Sequence, residues 1–127
     1  MPASCTVIFS YAGAGEDAEG VEVLLGVVPD EGSLARISRE IRARYGSPPY
    51  GFEGGVPWYR TNRTSGQVHV VVNCDTDRAV GRAVFDDMSE ARAFVDQERS
   101  DGENVCLVSL TMGVMDYSRF GVGSRCT

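Results

Sequence analysis

Residues 33–66 concentrate two kinds of side chain that bind anions together. Arg36, Arg39, Arg42, Arg44, Arg60 and Arg63 face only two acids there, Glu40 and Glu53, a local balance of +4. The remaining residues carry six arginines against sixteen acids, −10, and the chain as a whole is −6. The same segment holds Tyr45, Tyr50, Phe52, Trp58 and Tyr59, five of the eleven aromatic residues. A guanidinium grips a carboxylate or phosphate through paired, charge-assisted hydrogen bonds, and a neighbouring ring offers a stacking surface. The pattern predicts a small non-enzymatic binding module for a small anionic, nucleotide-like ligand or an acidic partner. Arg36, Arg39, Arg60 and Arg63 would meet the negative groups, with Tyr50, Phe52 and Trp58 stacking or packing beside them. The competing reading leaves the arginines as a solvated helix face and the aromatics as plugs at the end of a core.

Other chemistry is thinly represented. His69 is the only histidine, so any imidazole mechanism must run through it. Asp75 lies roughly 20 Å further along an extended strand, and Cys74 points to the opposite face. Cys5 or Cys106 would have to reach His69 from neighbouring strands. An enzyme dependent on His69 is the weakest of the readings, and no catalytic residue is assigned. Asp75-x-Asp77 and Asp86-Asp87 offer hard oxygens, but aspartate at a turn or before a helix already serves the backbone. EF-hand, HExxH, P-loop and GxGxxG patterns are absent, and Gly13-Ala14-Gly15 leads into acids. Cys5, Cys74, Cys106 and Cys126 form no CxxC pair. The first three fall in predicted strands, where a thiol acts as a small core hydrophobe, and Cys126 is expected to be exposed. No metal or cofactor is predicted.

The elements that must position these residues follow from periodicity and capping. Cys5–Tyr11, Val21–Val28, Gln67–Cys74, Ala79–Phe85 and Asn104–Met112 read as strands, and Trp58–Thr61 as a short edge strand after a Gly/Pro-rich loop. Leu34, Ile37, Ile41 and Tyr45 make one helical stripe, and Ala91, Phe94 and Val95 another. Ser33…Gly46 and Ser89…Gly102 share one spacing, with serine suited to the N-cap and glycine to the left-handed C-terminal position. The prediction is an α+β fold: a single, mainly antiparallel sheet of five to six strands in the order ββα-(β)ββαβ. Two helices pack on one face, with a ββα pseudo-repeat. Residues 1–112 form the single domain and 113–127 a flexible tail anchored by Tyr117 and Phe120.

Composition bounds the partners. At 127 residues one domain with a real core is expected. No apolar run reaches the roughly 20 residues that cross a bilayer, and Met1-Pro2-Ala3-Ser4 has no basic start to a secretion signal, so cytoplasmic residence is predicted. Net charge −6 repels duplex nucleic acid, whose affinity comes largely from phosphate neutralisation. A small anionic ligand or a protein partner fits better, and a homo-oligomer fits the same composition. The alternative is an acidic protein-interaction or inhibitor module, of the phage accessory or anti-defence kind, acting through a sheet edge or its acidic face. Every basic residue is arginine, which genome composition explains as well as selection does.

Overall fold

A computed structural model describes residues 3–12, 21–45, 50–61, 66–119 and 125–126. Six strands and two α-helices run in the order β1 (Ala3–Ala12), β2 (Val21–Val28), α1 (Leu34–Tyr45), β3 (Tyr50–Tyr59), β4 (Gln67–Asn73), β5 (Gly81–Phe85), α2 (Met88–Ser100) and β6 (Val105–Thr111). The fold is α+β. No helix among the described residues is long and apolar enough to cross a membrane.

One sheet holds all six strands in the order β2-β1-β3-β5-β4-β6. It is mixed, which departs from the simpler antiparallel expectation. Four pairings are antiparallel, but β3 and β5 run parallel through Trp58↔Val84 and Tyr59↔Phe85. The parallel seam arises because each half places its first strand in the middle, as 2-1-3 and 5-4-6, and the halves join side by side in the same sense.

Alternation gives the sheet two apolar faces. Cys5, Val7 and Phe9 of β1, Leu24 and Val27 of β2, Val56 and Trp58 of β3, Val68, Val70 and Val72 of β4, Val84 of β5 and Leu110 of β6 form one buried cluster. A single cluster fed by every strand requires the sheet to curl on itself, and the outermost strands β2 and β6 come into contact. The outer face is covered in two places. α1 lays Ile37 and Ile41 on Ile8, Leu25 and Val28, while α2 lays Ala91 and Val95 on Val71, Ala83, Phe85 and Val105.

The helix starts differ from the serine-capped expectation. Asp87, with extended backbone, caps α2 by accepting the N–H groups of Ser89 (2.7 Å) and Glu90 (3.4 Å). At the first helix Ser33 lies inside a 3-10 turn, Glu31–Ser33, that leads into α1, and Asp30 precedes that turn without a side-chain cap. The Asp87 carboxylate also answers the helix dipole, which a serine hydroxyl does not. Gly102 ends α2 with φ +87°, and Gly46 lies outside the described residues.

β3 is the largest departure from expectation: ten residues between β1 and β5 where a short edge strand was predicted. Its ladder with β5 begins at Trp58, past the Pro57 ring. Further back, the Glu53 carboxylate accepts the N–H groups of Val80 (2.8 Å) and Gly81 (2.9 Å) in place of strand carbonyls. Gly55 at φ +71° accompanies a register slip against β1, from Cys5↔Val56 to Val7↔Glu53. An extra residue in one strand reverses which face the following side chains take.

The described residues of the segment predicted as a tail, 113–119 and 125–126, lie against the sheet. Gly113 N–H reaches Val27 O (2.7 Å), Asp116 N–H reaches Leu25 O (2.8 Å), and Arg119 Nε donates to Leu24 O (2.8 Å). Met115 is buried under α1, and the Tyr117 hydroxyl donates to Glu40 (2.6 Å). Phe120 lies outside the described residues.

Candidate functional site

The reversal in β3 divides the residues that the sequence grouped. Before the slip, Tyr50 and Phe52 face outward toward α1; after it, Val56 and Trp58 face the interior. A groove of about 300 Å³ runs between α1 and β3, lined by Ile8, Leu34, Ala35, Ile37, Ser38, Tyr50 and Phe52. Its polar floor is already satisfied, since the Tyr50 and Ser38 hydroxyls hydrogen-bond each other. Phe52 is left 53 % exposed, a large apolar side chain open to solvent.

The lining residues include no arginine, and helical spacing shows which arginines of α1 share their helix face. Arg39 follows Ala35, and Arg42 follows Ser38, each by four residues, so each lies on the same helix face one turn on. Both are exposed and form no ion pair or hydrogen bond among the described residues. Arg36 is turned the other way. It pairs with Glu40 (3.4 Å) and donates to Gly113 O (3.1 Å), on the side of the C-terminal segment. Arg44 likewise lies over the Tyr117 ring, 4.5 Å from its centre.

Trp58 and Arg60 form a separate arrangement beyond the slip. The indole N–H donates to Asp86 Oδ1 (2.8 Å), and Thr61 N–H to Asp86 Oδ2 (3.1 Å). Arg60 lies 4.5 Å over the Trp58 ring, so a guanidinium occupies the face that a base would need. The adjoining cleft, lined by Trp58, Arg60, Thr61, Gly66, Gln67, Val68, Asp86 and Met112, measures only about 120 Å³. Arg63 lies outside the described residues. Tyr50 and Phe52 therefore line one groove, with Arg39 one helical turn from the lining residue Ala35; Trp58 and Arg60 line another cleft, and Arg36 turns toward the C-terminal segment. Arg42, which the sequence counts in the basic segment without a role, lies one helical turn from the groove-lining Ser38.

His69 is buried beside α2, and its Nδ1 lies 2.7 Å from Ser109 Oγ. Burial pushes its pKa below the usual 6.5, with Asp87 opposing and Arg92 adding to the shift. It is thus held toward the neutral form. Cys5 and Cys106 pack with the inner cluster, on the other side of the sheet from the α2 cluster. Cys126 is half-buried rather than exposed and meets Cys74 and Cys106, a gathering for which sequence spacing held no signal.

Comparison with protein-family models, curated protein sequences and solved structures finds no match to this chain.

Proposed function

We propose that the protein is a non-catalytic binding module whose α1–β3 groove takes a ligand with an apolar body and negative groups. One observation carries this: exposed Phe52 lines a groove against α1, and exposed Arg39 and Arg42 lie one helical turn beyond the lining residues Ala35 and Ser38, with no ion pair among the described residues, on a chain of net charge −6. No ion pair or hydrogen bond among the described residues accounts for the two charges, and more than half of the Phe52 surface stays open. An occupant that covers Phe52 gains on the order of 1 kcal/mol from burying its exposed half. Carboxylates or phosphates then meet the rim through charge-assisted bonds. An acidic segment of a partner protein suits the groove best. A nucleotide-like ligand is the second source of the same chemistry, supported by a volume at the lower end of small-molecule sites. Hydrogen bonds from Gly113, Asp116 and Arg119 to carbonyls of β2 favour this reading over docking at the β2 edge.

The test is an NMR titration of the labelled protein with a decapeptide of alternating Glu and Leu and, separately, with adenosine triphosphate. The expected result is amide shifts confined to residues 35–42 and 50–52. The paired change Arg39→Glu and Arg42→Glu should weaken binding at least tenfold, and Arg60→Ala should leave it unchanged. Shifts centred on Trp58, or affinity that survives the rim charge reversal, overturn the assignment. Which probe binds separates a partner segment from a nucleotide.

A further inference from the structure

Cys74, Cys106 and Cys126 are spread over 52 residues of chain, yet their Sγ atoms lie within 4.8 Å of one another. Cys74 follows β4 and its N–H donates to Asn104 O (2.9 Å). Cys106 is on β6 opposite Val72, and Cys126 comes to both from the C-terminal segment. The Cα of Cys126 is 5.7 Å from that of Cys74 and 5.8 Å from that of Cys106. Disulfides span Cα separations of about 4.4–6.8 Å, so both pairings fit the backbone as it stands. A sulfur makes one disulfide at a time. The two pairings are therefore alternatives, and each leaves a third thiol beside the bond.

Hydrogen bonds position Cys126 independently of any sulfur bond. The preceding residue, Arg125, is buried. Its Nη1 donates to the carbonyls of Asp75 (2.8 Å) and Arg78 (2.7 Å), and its Nε to Glu22 O (3.1 Å). Its own carbonyl accepts from the Cys106 thiol at 3.8 Å. The three clustered cysteines are half-buried, within reach of a small reagent, whereas Cys5 is sealed in the core. No histidine or carboxylate joins the three sulfurs among the described residues, whereas a structural zinc site ordinarily takes four protein ligands. The donor set and the backbone spacing favour sulfur exchange over metal binding.

We propose that Cys126 is the shared partner in a thiol–disulfide exchange site, oxidised by small-molecule disulfides and passing between Cys74 and Cys106. The Cys126 thiolate attacks one sulfur of a low-molecular-weight disulfide RSSR, forming Cys126–S–S–R and releasing RS⁻. The Cys74 thiolate then attacks Cys126 Sγ, forming the Cys74–Cys126 bond and expelling the second RS⁻. Two protein thiols are oxidised and one RSSR is reduced to two RSH, which take up the two protons lost by the protein. Attack of the Cys106 thiolate on Cys126 Sγ then forms Cys106–Cys126 and frees the Cys74 thiolate, with no net redox change.

The test treats the full chain with glutathione disulfide at pH 8, traps free thiols with N-ethylmaleimide in acidic denaturant, and maps tryptic peptides without reduction. Expected is one internal disulfide per chain in two isomeric forms, both containing Cys126, with the label on whichever of Cys74 and Cys106 is left over. Cys74→Ser should leave only Cys106–Cys126, and Cys106→Ser only Cys74–Cys126. Cys126→Ser should form no internal disulfide. A single unchanging pairing in the unsubstituted protein overturns the exchange, and needs no variant to fold. A Cys74–Cys106 bond in the Cys126→Ser protein overturns the shared role. Stoichiometric zinc binding that blocks oxidation of the reduced protein overturns the redox assignment altogether.

Discussion

His69 and Cys5 show how burial changes what a reactive side chain can do. His69 is held toward its neutral form by desolvation, beside Ser109 and within range of Asp86, Asp87 and Arg92. The unfolded chain takes up a proton near pH 6.5, while the folded protein resists until lower pH. Stability from this residue is therefore full above about pH 6.5 and declines as pH falls through that value. His69→Gln removes the titration, so its urea midpoint should drop less than that of the unsubstituted protein between pH 7.5 and 5.5. Equal drops would discard the assignment. Cys5 has its pKa pushed up to about 12, first by burial and then by the charge of Asp86. Because the thiolate is the nucleophile, Cys5 should resist N-ethylmaleimide at pH 8 in the native protein and react only on unfolding. Labelling of Cys5 at the rate of Cys126 would contradict its sealed environment.

Among the elements, α2 and β3 separate what local sequence encodes from what neighbours impose. The apolar stripe Leu34–Ile37–Ile41 and the run Val68–Val70–Val72 are readable because periods of 3.6 and 2 repeat within a short window. The choice between Asp87 and Ser89 as cap is not readable that way, since both residue types cap and only backbone dihedrals choose. Asp87→Ala should cost about 1 kcal/mol, a fall in Tm of roughly 3 °C, because two helix N–H groups lose their acceptor. Ser89→Ala and Asp30→Ala should each move Tm far less, as neither side chain caps an N–H. Equal losses for Asp87 and Ser89, read by calorimetry, would reverse the assignment. In β3, Pro57 and the Gly54-Gly55 pair look like breakers from sequence. Glu53 and the bulge make them compatible with a strand, and both depend on partners 27 or more residues away.

At the scale of the whole molecule, the C-terminal segment covers the β2 edge and ties the two halves of the sheet together. Arg125 reaches the backbone of β2 and of the β4–β5 turn at once, and its Nη2 lies 3.8 Å from Glu22 Oε1, too long for a hydrogen bond. Removing such a cation orphans the buried Asn73 carbonyl and several part-buried ones, which costs free energy unless water replaces the donor. Arg125→Met should destabilise the reduced protein by roughly 3 kcal/mol. Reduction keeps a disulfide from holding the segment in place. Denaturant unfolding with a loss below about 1 kcal/mol would mean that Arg125 is incidental to the closure.

The sequence by itself determined the α+β class, the helix stripes, most strand positions and the concentration of arginine and aromatic residues at 33–66. These are local properties, set by short-range periodicity, capping chemistry and composition. Tertiary structure alone decided that Phe52 and Trp58 part company. One bulge reverses every later side chain of β3, and nothing in composition counts the residues opposite it. It also decided the parallel seam, the cover over β2 and the meeting of three cysteines. Those depend on how a curled sheet closes, which joins residues 20 to 103 positions apart. The basic segment was visible from the residues; the groove within it was not.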